Sequence, residues 1–295
     1  MNTGKGLLMV SCAGICWATT GLFGTFLFSE GIDPINIASA RNTLAAIIFL
    51  GFLLIAHRDK LIVGRKKLGL LALGGLTGIA IFNIFYLSAI NLAGMSLAVI
   101  LLYTSPVFAV IMARLFLGEL LTPLKVTALL IAFSGVILVV EAFIFRALLS
   151  DPQATLMGLG AGFFFATLSV FGKHLTGSSH RLTTSFYLIF TGSFFLALVR
   201  PPWLGIMEVM SHPHLLAAFI ALVIISTFAS HFLYIYGLSF LEAGKASIAV
   251  AIEPPAALFL AFIFLGERLS IIQYFGVILV LTAVIILKIR PGKSS

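Results

Sequence analysis

Asn83-x-x-Tyr86 and His231-x-x-Tyr234 each place two hydrogen-bonding side chains three residues apart, on one face of a helix. Both pairs lie in long apolar stretches, where a polar side chain is costly and tends to face a cavity or another polar group. Glu253-Pro254-Pro255 adds the only acidic residue deep within such a stretch. An ionised carboxylate there costs about 2.5–3.5 kcal/mol on insertion scales, so Glu253 is either paired or held protonated. Either state suits proton coupling or the binding of an amine. The structural alternative is a protonated Glu253 that caps carbonyls freed by its own prolines. Ser105-Pro106 repeats the arrangement without the charge, since proline removes a backbone donor and frees a carbonyl one turn earlier. Trp17 and Tyr103 offer amphipathic aromatic surface that can stack on a flat solute. With 28 phenylalanines in the chain, packing and lipid contact are the competing reading for any one aromatic ring.

A displacement of 148 residues lays these features on one another: Asn83 falls on His231, Tyr86 on Tyr234, and Ser105-Pro106 on Glu253-Pro254. Between 106–121 and 254–269, 8 of 16 positions are identical, more than apolar composition alone would give. At the same offset Gly14 meets Gly162, Ala18 meets Ala166, Thr19 meets Thr167 and Gly24 meets Gly172. The sequence thus predicts two copies of one unit, 1–147 and 148–295, forming a single bundle.

Composition sets the solvent of that bundle. Hydrophobic residues are 61% of the chain, charged residues 9%, and the mean hydropathy is +1.18, against roughly 45–50% and 25% in soluble domains. The expected fold is an all-α integral membrane bundle of ten transmembrane helices, at 6–28, 35–56, 67–90, 95–117, 122–141, 153–173, 182–199, 214–239, 243–265 and 270–288. Lys5 before the first apolar run resembles a signal peptide, but no cleavage pattern follows and the run belongs to the repeat, so it is read as the first span. With a cytoplasmic N-terminus, 14 of the 18 Lys and Arg fall on the cytoplasmic side; Arg146, Arg200 and Arg268 fall outside, and Arg41 lies within span 2. Both termini are therefore expected in the cytoplasm. Five spans per copy is odd, so the second copy enters from the opposite side. Two inverted copies can exchange conformations, which gives alternating access to a central cavity.

The remaining polar features read as structural. Arg41, at the outer end of span 2, can snorkel or pair with Asp33 or Glu30, with attraction of anionic groups as the functional alternative. Glu119 and Glu267 each follow Leu-Gly at a helix end and can accept from backbone donors at the start of spans 5 and 10, near Thr122 and Ser270. Gly74, Gly75, Gly78, Gly135 and Gly276 suggest close helix approach. Cys12 and Cys16 lie on one helix face as small packing residues. The net charge of +8 and pI near 9.7 reflect cytoplasmic-side basic residues rather than nucleic acid. His212-Pro213-His214, with only Glu208 near, makes a poor metal site. No phosphate-binding loop is present, so ATP is not the direct energy source, and no nucleophile–base–acid set points to an enzyme. No cofactor is expected. A channel would call for a ring of charges or a filter motif, and neither is found.

Tyr-Thr-Ser-Pro at 103–106 running into Leu-Gly-Glu at 117–119, and Glu-Pro at 253–254 running into Leu-Gly-Glu-Arg at 265–268, set in two inverted fives, resemble the EamA-like family of the drug/metabolite transporter superfamily. The resemblance covers nearly the whole chain and is similar to that of bacterial exporters of amino acids and related metabolites, the aromatic branch included. It implies a basket-shaped bundle whose cavity is lined by spans 1, 3, 4, 6, 8 and 9, with spans 5 and 10 peripheral. Trp17, Asn83, Tyr86, Tyr103, Ser105, His231, Tyr234 and Glu253 then lie on lining helices. Asn83 and His231 match no family-wide motif and are expected to set this member's substrate. The function so implied is export of amino acids, aromatic ones included, or related amphipathic solutes across the cytoplasmic membrane. Protons are the candidate coupling ion through Glu253, the bilayer is the surroundings, and the assembly is a monomer or homodimer. A passive facilitator is the alternative.

Overall fold

A chain in hydrocarbon has no water to satisfy its backbone, and this one answers with helices alone among the described residues. The computed structural model describes residues 2–140, 151–266 and 268–288, and of Ser96 the backbone only. Eight helices are long and apolar enough to span a bilayer: α1 (Thr3–Phe28), α2 (Pro34–Ala56), α3 (Arg65–Met95), α4 (Leu97–Leu117), α6 (Pro152–Thr176), α7 (Arg181–Val199), α8 (Pro213–Leu238) and α9 (Ala243–Leu265). Two shorter apolar helices, α5 (Pro123–Val139) and α10 (Ile271–Ile286), have 17 and 16 residues. Both fall below the roughly 20 residues a full crossing needs. A short helix, Pro202–Met210, lies between α7 and α8. Glu267, Arg146, Arg290, Lys293 and the boundary between the two expected copies lie outside the described residues.

Local sequence fixes the helix ends. The side chains of Asp33, Thr122, Asp151 and Ser270 each accept from a backbone N–H of the helix that follows, and Ser270 with Gln273 forms a reciprocal capping box. Proline opens α2, α5 and α6, where its missing N–H costs nothing. Gly118 and Gly266 close α4 and α9 in the left-handed region, at φ 67° and 70°, a conformation that glycine enters without steric penalty.

Successive antiparallel helices give the bundle two ends. One holds most of the described Lys and Arg and is called the basic end. There Thr183 Oγ1 donates to Lys60 O at 2.9 Å, Tyr187 Oη to Leu61 O at 2.6 Å, and Lys67 Nζ to Ser178 O. A buried ion cluster completes it: the Lys125 ammonium, 2% exposed, lies 3.3 Å from Glu119 Oε2 and 2.7 Å from Glu242 Oε2. Glu119 does not cap α5. Its carboxylate accepts from Ala243 N at 2.5 Å and Gly244 N at 3.2 Å, the first backbone donors of α9. Thr122 serves α5 through its own hydroxyl, which leaves Glu119 free to meet the positive end of α9.

Two helices are broken inside the bundle. A turn at Tyr103-Thr104 interrupts α4, and a tight 3-10 turn, Val250–Ile252, interrupts α9 at the matching place in the repeat. Each break is backed by a glycine of a helix from the other half of the chain. A Cβ on Gly162 of α6 would lie 2.9 Å from Leu101 O, and one on Gly14 of α1 would lie 3.3 Å from Val250 O. Single π-helical stretches, Leu76–Ile81 in α3 and Leu222–Ala229 in α8, also fall at matching positions.

Away from the breaks, α5 and α10 cross at Gly135 and Gly276, as the glycines suggested. A Cβ at Gly276 would meet Gly135 O and Val139 N at 2.7 Å. Gly276→Val should therefore lower the thermal midpoint of the purified protein, at a cost of about 1–3 kcal/mol for overpacking. Gly51→Ala, where nothing lies within 4 Å, should leave the midpoint level or slightly raised. Equal midpoints for the two variants would rule out the close crossing.

Candidate functional site

The breaks and π stretches converge on a cavity of about 210 Å³, far above the roughly 10–15 Å³ that one water needs. Side chains from α1, α2, α3, α4, α6, α8 and α9 line it; α5, α7 and α10 contribute none. It runs from Trp17, His231 and Glu253 in the bundle centre to Phe28, Pro34 and Met95 at the end opposite the basic one.

Its inner wall is aromatic. The Trp17 ring meets His231 edge-on at 5.3 Å, Tyr234 at 5.1 Å and Phe165 at 5.6 Å. Phe82 meets Phe165 at 5.0 Å and stacks on Tyr86 at 5.7 Å. Trp17 and Phe165 are themselves repeat equivalents, so each copy supplies one ring of this wall.

The polar side chains bond back to carbonyls within the π stretches. Asn83 Nδ2 donates to Ile79 O at 2.8 Å, and His231 Nδ1 donates to Thr227 O at 2.8 Å, each four residues earlier. With the proton on Nδ1, Nε2 is the imidazole's other hydrogen-bonding position. Arg41 joins the two polar positions: Nη1 donates to Thr227 Oγ1 at 2.9 Å, and Nη2 to Asn83 Oδ1 at 3.4 Å. Across the cavity, Glu253 opens the second segment of α9, directly after its break. The Tyr103 hydroxyl faces the Glu253 carboxyl closely enough to interact, yet makes no hydrogen bond of ordinary geometry with any group.

Of the residues expected at the site, Trp17, Asn83, Tyr86, Tyr103, His231 and Glu253 line the cavity. Tyr234 and Ser105 do not. Tyr234 is fully buried behind Trp17, and its hydroxyl is bonded to Ser169 Oγ at 2.6 Å. Ser105 is buried in the first turn after the α4 break.

Arg41 overturns the expectation of a snorkelling or locally paired side chain. Asp33 is engaged in capping α2 and faces Arg200 at 4.0 Å, while Glu30 faces His214 at 3.4 Å. Seven residues into α2, Arg41 sits about 10 Å from the helix start, and its guanidinium turns into the bundle. With it come Ile37, Ala38 and Asn42, so α2 joins the lining helices. A basic residue inside a span was itself the signal, since a charge there is tolerated only with a partner or a polar cavity. His212 bonds Glu208 O through Nδ1, and the described residues contain no cluster of three metal-ligating side chains.

Known proteins support the same architecture. The "Uncharacterized inner membrane transporter YicL" of Salmonella typhimurium is 24% identical over 100% of this chain and 98% of its own. An "Uncharacterized transporter" of Archaeoglobus fulgidus is 27% identical over 86% of this chain and 88% of its own. The "Pseudopaline exporter CntI" of Pseudomonas aeruginosa is 27% identical over 57% of this chain and 60% of its own. A protein crystal structure superposes with a TM-score of 0.75 over 96% of each chain at 15% identity, which shows a shared fold. The model of the EamA-like transporter family matches twice, at residues 4–141 and 153–289. The chain is a multi-pass membrane protein and belongs to the EamA-like transporter family.

Proposed function

We propose that this protein is a secondary transporter that exports small organic metabolites, amino acids or related amphipathic solutes, by alternating access. The observation that carries this reading is the cavity itself: aromatic and polar at its base, reaching one end of the bundle and closed off from the other. On the basic side the closure is built from the Lys125–Glu119–Glu242 cluster and the contact of α1 with the α8–α9 turn, where a Cβ on Gly6 would lie 2.6 Å from Leu241 Cγ. The excess of Lys and Arg assigns the basic end to the cytoplasm, so this is an outward-facing form in the cytoplasmic membrane, with both termini inside.

The two copies, 1–147 and 148–295, are read as inverted repeats. Matched breaks in α4 and α9, matched π stretches in α3 and α8, and the reciprocal packing of Gly14 and Gly162 support this. Exchange of their conformations would close the outer end and open the basic one. Glu253 is the proton-coupling candidate, because it lines the cavity at a helix break and faces Tyr103. An exporter among the relatives favours outward movement.

The direct test is uptake into proteoliposomes of radiolabelled amino acids, nucleosides and sugars, with and without an imposed pH gradient. Saturable amino-acid uptake that accumulates only with the gradient is expected; simple equilibration would make the protein a facilitator. Glu253→Gln should abolish gradient-driven accumulation while sparing exchange, and accumulation undiminished in that variant would remove the proton role. Asn83→Ala and His231→Ala should each raise the apparent KM about fivefold, the equivalent of one hydrogen bond near 1 kcal/mol. Normal KM in both folded variants would return these residues to a packing role.

A further inference from the structure

Resting on that transport reading, we propose that Arg41 is the anion-binding group of the cavity and that the transported solute carries a single carboxylate, held by the Arg41 guanidinium. Among the described residues, Arg41 is the only Lys or Arg lining the cavity, and no carboxylate stands within salt-bridge distance of it. Its two protein partners are neutral oxygens, Thr227 Oγ1 and Asn83 Oδ1. A guanidinium has five N–H donors in a planar fork that matches a carboxylate through two parallel bonds. Two contacts leave most of that fork, and all of its charge, without an anionic counterpart.

Elsewhere the chain supplies anions to its deep cations. Lys125 meets two carboxylates, and Lys173, whose Nζ donates to Leu238 O at 3.1 Å, lies within electrostatic reach of the same Glu119 and Glu242 close to the basic end. A lone cation in the wall of a membrane cavity destabilises the empty protein unless an anion joins it. Asp33 and Glu30, close in sequence, are directed elsewhere. The missing anion is therefore one that arrives from outside the chain.

The anion is a monocarboxylate. One guanidinium balances one negative charge, whereas a phosphate near neutral pH brings about −1.5 to −2 into a cavity that holds no second Lys or Arg and does hold Glu253. The rest of the lining is largely apolar, with Phe165 in contact with both Trp17 and Phe82. That surface fits the apolar body of an amphipathic acid. Binding would place the carboxylate against Arg41 and the body against these rings.

The test reads binding by Trp17 fluorescence in full-length protein carrying Trp203→Phe. Trp203 is the only other tryptophan and is 60% exposed on the short helix, so its loss leaves the cavity wall as the reporter. The probes are matched pairs, L-leucine with L-leucinamide and isovalerate with isovaleramide, together with inorganic phosphate. Each carboxylate should bind saturably and roughly tenfold or more tighter than its amide. In Arg41→Gln that preference should collapse, and in Arg41→Lys, which keeps the charge and loses the fork, it should be intermediate. Equal affinities within both pairs in the parent protein, a preference that survives Arg41→Gln, phosphate binding tighter than either carboxylate, or no saturable response to any carboxylate would each overturn the assignment. The within-pair comparison stands even if a variant fails to fold. Proteoliposomes that move neutral or cationic solutes without carboxylate preference would sink this inference and leave the transport reading standing; carboxylate binding without movement of any solute would overturn the transport reading and leave Arg41 as the anion-binding group alone.

Discussion

In a bilayer, a helix can be interrupted only where protein, rather than lipid, covers the exposed backbone. The rest of this structure depends on how that constraint is met. The breaks in α4 and α9 are covered by α6 and α1, and in each case a glycine lets one backbone approach the other. Since α1 and α4 precede residue 148 while α6 and α9 follow it, each break is covered by a helix from the other half of the chain. Tyr103 and Glu253 stand at these breaks, one on each, and this is why they come to face one another over a shared cavity.

Much of this was legible in the sequence because duplication turns weak local signals into paired ones. A single Gly14 in an apolar helix says little, but Gly14 with Gly162 at the offset that also joins Pro106 to Pro254 marks a repeated helix crossing. The same offset paired Asn83 with His231, Tyr86 with Tyr234 and Ser105 with Glu253, and of these Asn83, Tyr86, His231 and Glu253 line the cavity. The parts it misjudged are those where the copies differ. Tyr86 lines the cavity while its equivalent Tyr234 bonds to Ser169 behind the wall, and Glu253 lines it while Ser105 does not. A cavity reaching one end of the bundle cannot use equivalent helices equally: α2 lines it, and its counterpart α7 contributes no lining residue.

Arg41 shows the limit most clearly, since its repeat equivalent is Ile189, fully buried. A symmetry argument has no means of finding a residue whose partner is apolar. Glu119 escaped for a different reason. Its neighbours in sequence suggested capping of the next helix, whereas the donors it satisfies belong to Ala243 and Gly244, 124 and 125 residues away. Short-range capping logic is dependable when the capping side chain and the helix are contiguous, as at Asp33 and Ser270. It fails once tertiary folding brings another helix start within reach.

The two ends of the molecule treat charge in opposite ways, and the contrast follows from what each end has to do. At the basic end, Lys125 is almost fully buried and meets two carboxylates, one of which also holds the first turn of α9. Removing Lys125 would leave the Glu119 carboxylate buried without its cation, so the cluster ties α5, the α4–α5 turn and α9 into one unit. In the cavity, Arg41 is held by two neutral oxygens, and Glu253 faces the neutral Tyr103 hydroxyl. An apolar pair in their places would pack more stably in a membrane. Groups that lower the stability of the empty bundle while lining this cavity are what a binding site requires, because full compensation within the chain would leave nothing for a solute to complete.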